Sequence, residues 1–258
     1  MKKYLSLGFE ECYSIGSCLR NMEGTSSTHH PEFLMLEWYR VGSDYQQIID
    51  DTVDLIQRVN KQVNNRDVLV YQGKEFDIQH WQRRSVEDIW QEKWQTSLGD
   101  LQTLEAMRRF TRERGYSDDG TWEEMFNQIF LNDIEPEFDE QPFVLLDFPA
   151  VLSPLCRPRA DKPWLAERFE VYIDGIELGN GNSEQLDADA IERIFRKELH
   201  TRQRHGVATQ PLDTQMLDTI RQMAAAGKQY AGMGLGVDRL AMMIADVASI
   251  SDWWPCFD

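Results

Sequence analysis

Two periods of apolar and polar residues run along this chain. "CYSIGSCL" and "LMLEWYR" read as buried strands, and they flank the small polar loop of "RNMEGTSSTHHPEF", residues 20 to 33. The pattern predicts a long hairpin, with strands over 11–20 and 33–40, whose loop carries charge, two imidazoles and an aromatic. Residues 1–7 read as the end of a helix. From 43 to 63, Tyr45, Ile49, Val53, Ile56 and Val63 fall near helical spacing behind Ser43 or Asp44 as a cap. Residues 84–132 read as mostly polar helix with Trp90, Trp94, Leu101, Leu104 and Met107 as apolar markers. "FVLLDFP" (143–149) is an apolar run closed by proline, a buried strand. "RFEVYIDGIELGNG" (168–181) alternates about an Asp-Gly turn, the strongest short hairpin signal in the chain. Helices are predicted over 187–204 and 213–226, and "AGMGLGVDRLAMMIADV" (231–247) passes from a glycine-rich strand directly into a helix. Region 64–132 separates two groups of strands and is expected to be a helical insertion.

Composition narrows the class. With 258 residues, 41% hydrophobic and 11% aromatic, the chain has the makings of a globular fold. A net charge of −17 argues against a nonspecific nucleic-acid binder, which needs a basic footprint. No apolar run approaches the roughly 18 residues of a membrane span, and the start "MKKYLSLGFEE" is too short in apolar residues for a signal peptide. Cys12, Cys18, Cys156 and Cys256 show no CxxC spacing, which suits reduced thiols and a cytoplasmic location.

Candidate chemistry sits in three places. Arg20, at a strand end, has the guanidinium geometry for a phosphate or carboxylate, and Phe33 offers a ring for stacking. The same two residues also suit a surface ion pair and a core phenylalanine. His29 and His30 are adjacent, and on a strand they would point to opposite faces, a poor arrangement for one metal ion. The second place is "FEVYIDGIELGNGNSEQLD". Glu170 and Glu177 lie on opposite arms of the predicted hairpin, where they can face each other, and Mg²⁺ binds through one or two carboxylates plus substrate phosphates. A solvated acidic hairpin is the plainer alternative, but "NGN" is an unusual strand filling unless backbone approaches a ligand closely. The third place is "GMGLGVDRL". Gly232, Gly234 and Gly236 strip one strand face of side chains, and Arg239 opens the following helix.

Taken in order, these stretches resemble motifs 2 and 3 of the class II aminoacyl-tRNA synthetases of the lysine type. "RNMEG…HHPEFLMLEWY" is similar to motif 2, "FEVYIDGIELGNGNSE" to the amino-acid and metal hairpin, and "GLGVDRL" to motif 3, over residues 1 to about 252. "PEFLMLEWYR", "DFPAVLSPL" and "RFEVYIDGIELGNG" resemble more closely still the elongation factor P–(R)-β-lysine ligase family. The resemblance implies an α+β fold, an antiparallel sheet flanked by helices with no anticodon-binding domain. It implies ATP and Mg²⁺, lysine or β-lysine as substrate, elongation factor P as acceptor, no tRNA binding and no membrane. It also implies roles. Arg20 would hold the α-phosphate and the substrate carboxylate. Glu23 and His29 would contact ATP, and Phe33 and Arg239 would sandwich adenine. Glu170 and Glu177 would hold Mg²⁺, and Asn180 would touch the carboxylate. Tyr39 and Glu184 would receive a distal ammonium, with Glu37 beside them.

The chain departs from that family in several ways. The loop between Arg20 and His29 is one residue longer, and His30 stands for asparagine. Asn182 replaces a pocket phenylalanine. Gly234 stands where β-lysine ligases carry alanine, which leads us to expect weak discrimination between α- and β-lysine. Residue 1 would fall inside the helix before motif 2. The motif 1 part of the family's homodimer interface and the substrate-amine contacts would then lie outside the chain, as in an N-terminally truncated form.

Overall fold

A computed structural model describes residues 1–20, 24, 26–138, 141–204, 206 and 208–253, the last by its backbone alone. The described strands are β1 (Glu11–Leu19), β2 (Glu32–Val41), β3 (Leu69–Tyr71), β4 (Lys74–Phe76), β5 (Gln82–Ser85), β6 (Phe143–Pro149), β7 (Leu165–Ile173), β8 (Ile176–Ser183) and β9 (Tyr230–Gly236). The described α-helices are α1 (Lys2–Ser6), α2 (Tyr45–Asn64), α3 (Val86–Trp94), α4 (Leu104–Arg112), α5 (Trp122–Ile129), α6 (Ala188–Arg204), α7 (Thr214–Ala225), α8 (Val237–Ile244) and α9 (Ile250–Trp253).

Seven strands form one sheet in the order β1-β2-β9-β8-β7-β6-β5, while β3 and β4 pair separately. All the main-sheet pairings are antiparallel except β5 with β6, which is parallel. The sheet is therefore mixed rather than wholly antiparallel. β5 reaches its place only after α2 and the β3–β4 ribbon have crossed one face of the sheet.

The predicted helix behind Asp44 forms because Asp44 and Gln47 make a reciprocal capping box, with Asp44 Oδ1 accepting the Gln46 amide. Its Ile48, Ile49 and Ile56 are buried against Trp38, Phe169, Val171, Met233 and Leu235 on one sheet face, together with α8. Val63, counted in the apolar stripe, is instead 63% exposed near the helix end. The stretch 84–132 is not one helix. Ser85, Thr103 and Thr121 each cap a new helix by accepting an amide two or three positions into it. Trp90, Phe110, Phe126 and Phe130 stack into a second core that also takes in Phe143, Leu145 and Tyr172 from the sheet. Leu104 stays 42% exposed. This second core covers the β6–β7 end of the other sheet face, leaving that face open over β2, β9 and β8.

The Asp174-Gly175 turn has both residues at positive φ, 51° and 68°, as a tight two-residue hairpin turn requires.

Candidate active site

Register decides what meets on the open face. One transverse row runs Ser14, Glu37, Gly234, Asn180, Glu170 across β1, β2, β9, β8 and β7. The next runs Cys12, Tyr39, Gly232, Asn182, Arg168. The sheet thus collects Glu37, Tyr39, Glu170, Asn180 and Asn182 into two adjacent rows, with Gly232 and Gly234 as the floor between polar walls.

Beyond Gly236 the floor opens into a cleft of about 520 Å³, open mouth included, whose lining includes Arg20, His29, Phe33, Glu177, Asn180 and Arg239. Arg239 is fixed from three sides. It donates to the carbonyls of Thr28 (3.0 Å) and Glu177 (2.6 Å) and to His29 Nε2 (2.8 Å). A guanidinium only donates, so His29 Nε2 accepts and its proton sits on Nδ1, facing the hydroxyls of Ser26 and Thr28. The Arg20 guanidinium lies 5.3 Å from the centre of the Phe33 ring, on the stacking surface expected for adenine. Glu23 lies outside the described residues. His30 and His29 are in the loop before β2, not on a strand, and His30 Nδ1 is engaged with the backbone of Glu32.

The two candidate metal carboxylates are not cross-strand partners. Glu170 pairs with Asn180, and Glu177 with Tyr172. A bulge in β8, where Leu178 has no partner, turns Glu177 to the same face as Asn180, whose amide donates to Glu177 Oε1 at 3.2 Å. Glu170 is buried and receives Arg168 Nη2 at 2.6 Å and the Tyr172 hydroxyl at 2.5 Å. Burial first, and then the charge of Glu177, push its carboxyl up to about 7. Burial and Glu177 also raise Glu135, which the sequence reading did not single out. A divalent cation would relieve this repulsion, and each Glu170 oxygen keeps a lone pair free, so Glu170 and Glu177 fit the role of Mg²⁺ holders. Among the described residues no group of three or more His, Cys, Asp or Glu is placed to hold a metal by itself.

At the other end of the floor, Tyr39 donates to Glu184 Oε1 at 2.6 Å. Glu184 is 5% exposed, and Lys2 Nζ approaches its Oε2 at 2.7 Å. Burial and then Glu184 raise the Tyr39 phenol well above its ordinary range, so it remains a donor. Glu37 is exposed on the same face.

The structure adds Asp238 to these residues and gives the glycines a packing role. Asp238, 3% exposed beside Arg239, accepts the Leu34 amide at 2.6 Å and ties β2 to α8 under the cleft. Gly232 makes room for Tyr39: a Cβ there would stand 2.6 Å from the ring. The glycines of "GNG" let the strands pack closely, and Gly179 also lines the cleft. A Cβ at Gly179 would meet the Gly234 carbonyl at 2.3 Å, and one at Gly181 the Gly232 carbonyl and Phe169 at 2.6 Å.

A mixed sheet with a cationic, aromatic cleft at one end of a polar floor is the core of a class II synthetase. Residues 1–255 match the family described as tRNA synthetases class II (D, K and N), and the chain belongs to it. Among its relatives are the lysine–tRNA ligases of Saccharolobus solfataricus, 31% identical over 99% of this chain and 51% of that protein, and of Synechococcus sp., 34% identical over 98% and 51%. The lysine–tRNA ligase of Sulfolobus acidocaldarius is 32% identical over 99% and 51%. The chain spans about half the length of the curated relatives it matches. No helix among the described residues is long and apolar enough to cross a membrane.

Proposed function

We propose that this chain activates lysine or β-lysine as the adenylate and transfers it to a lysine side chain of elongation factor P. The observation that carries the amino-acid half is the buried Glu184 carboxylate, hydrogen-bonded to Tyr39, at the end of a floor whose other end is the cleft of Arg20, Phe33 and Arg239. A buried carboxylate with the Tyr39 hydroxyl on one oxygen and an ammonium, that of Lys2, on the other is built to receive a cation, so the site suits a distal ammonium. The names of the relatives point to lysine as well.

In this reading ATP lies in the cleft with adenine between Phe33 and Arg239, which requires Arg20 to leave the Phe33 ring for the α-phosphate. Asn180 and Arg20 orient the substrate carboxylate. Its oxygen attacks the α-phosphorus, the bond to the β-phosphate breaks, and pyrophosphate leaves. Mg²⁺, held by Glu170 and Glu177 when bound, supplies charge neutralisation on the departing phosphates. The acceptor amine then attacks the acyl carbon, an amide forms, AMP leaves, and the amine gives up a proton. Positioning and charge stabilisation do most of this work, since the protein itself forms no covalent bond.

Elongation factor P as acceptor rests on the stretches "PEFLMLEWYR" and "DFPAVLSPL". Transfer to tRNA is the second reading, favoured by the lysine–tRNA ligases among the relatives. A non-catalytic regulatory role is the third. Lysine-dependent exchange of pyrophosphate into ATP supports the first two and, if absent, leaves the third. Labelled lysine or β-lysine appearing on elongation factor P, and not on tRNA, supports the first.

A further inference from the structure

The pocket proposed for the substrate's distal ammonium already contains one. Lys2 Nζ lies 2.7 Å from Glu184 Oε2, on the oxygen that Tyr39 leaves free. The two side chains are 24% and 4% exposed. This lysine is not a stray surface group. Its helix, α1, is docked by Leu5, which is 2% exposed in a cluster with Met223 and Tyr230, and by Lys3, which donates to Gln215 of α7 at 2.9 Å.

We infer that Lys2 is a resident counter-cation of the side-chain pocket, a specificity-determining residue that competes with the distal ammonium of an incoming amino acid. The inference rests on the reading of Tyr39 and Glu184 as that pocket. A buried carboxylate left alone is costly, and Lys2 removes the cost before any ligand arrives. An arriving cation therefore gains only the difference between itself and Lys2. Glu184 cannot leave, being fixed in the fold, whereas Lys2 is a quarter exposed and carries a flexible stem that can swing its charge to water. The apparent affinity for the cationic ligand is the intrinsic one multiplied by the fraction of molecules in which Lys2 has left Glu184. A neutral side chain leaves the Lys2–Glu184 pair intact and avoids exposing a naked carboxylate. Lys2 thus lowers affinity for the cation and softens rejection of uncharged analogues, two effects of one contact.

The test uses n-butylammonium as probe, bound to the full chain and to Lys2→Met, Lys2→Gln and Lys2→Met/Glu184→Gln, with lysine-dependent pyrophosphate exchange measured separately. Both single variants are expected to bind the probe more tightly by on the order of tenfold, with the gain lost in the double variant. In the unsubstituted chain with ¹³C-labelled lysine, the Lys2 Cε resonance is expected to move to the position of solvated lysines as the probe saturates, a readout that survives if the variants fold poorly. Unchanged or weaker binding in both single variants, no probe binding to any form, or a Lys2 resonance indifferent to a saturating probe overturns the inference. Absence of lysine-dependent exchange by the unsubstituted chain counts against the proposed function alone, because butylammonium binding reports the pocket without the reaction.

Discussion

Gly232→Ala and Gly234→Ala are the same change two residues apart on one face of β9, and they should behave oppositely. At 232 the new Cβ would stand 2.6 and 2.7 Å from Tyr39 ring carbons and 2.9 Å from the Trp38 carbonyl oxygen. Ordinary carbon contacts lie near ~3.5–4.0 Å, so something must move by about 1 Å. The carbonyl belongs to the paired strand β2, and the ring is tethered by its 2.6 Å bond to Glu184. Overpacking of this kind costs about 1–3 kcal/mol. Alanine recovers about 0.5–1 kcal/mol of that by losing less backbone entropy than glycine. At 234 the one neighbour within 4 Å among the described residues, the adjoining residues aside, is Met35 Sδ at 3.4 Å, the far end of a flexible chain, so the entropy gain stands almost alone. The two variants should differ by about 1–3 kcal/mol, and each kcal/mol moves the melting point of a domain this size by roughly 2–4 °C. Thermal melts by circular dichroism read this directly. If Tyr39 is pushed off Glu184, a hydrogen bond to a charged group worth about 1.5–3 kcal/mol is lost. KM for lysine in pyrophosphate exchange should then rise on the order of 10- to 100-fold in Gly232→Ala alone. A Gly232→Ala protein that melts at or above Gly234→Ala would refute the packing argument.

Other outcomes follow from the same geometry. Arg239→Ala removes a stacking cation and should weaken ATP binding by about 1–3 kcal/mol; unchanged affinity by calorimetry would rule out the adenine placement. Glu184→Gln should abolish the preference for lysine over norleucine, and a variant that still prefers lysine would sink that assignment. Gly234→Ala should shift the ratio of α- to β-lysine activation by no more than about 1–3 kcal/mol, and a strong β-lysine preference unaffected by it would count against the expectation of weak discrimination. In Mg²⁺-free buffer the raised Glu170 carboxyl makes the folded chain bind more protons than the unfolded one between about 4.5 and about 7. Its contribution to stability is therefore full below that window and lost as pH rises through about 7; Glu177→Gln should flatten this slope, and an equal slope in both proteins would contradict the coupling. Burial pushes the Cys156 thiol up to about 12, so it should resist maleimide at pH 8 in the folded state, and rapid labelling would show the site to be open.

The elements were legible because their signals are local. Alternation and an Asp-Gly pair are enough for β7, β8 and their turn, and the Asp44–Gln47 box for the start of α2. The helical character of 84–132 shows in its apolar spacing, but its division into separate helices does not, because the breaks depend on Ser85, Thr103 and Thr121 capping in place. The parallel β5–β6 pair was invisible, since strand direction is set by the path between strands and not by their composition. For the candidate site, the residues themselves were marked in the sequence by charge, aromaticity and glycine, but their meeting was not. Strict alternation along β8 would set Glu177 and Asn180 on opposite faces. Only the bulge at Leu178, in the pairing with β7, turns both to the open face. In the same way nothing local joins Lys2 to Glu184, 182 residues apart. The sequence by itself determined which side chains were available and on which elements. The register of five strands and the docking of α1 decided which of them touch, because contact between distant residues is a property of packing and not of pattern.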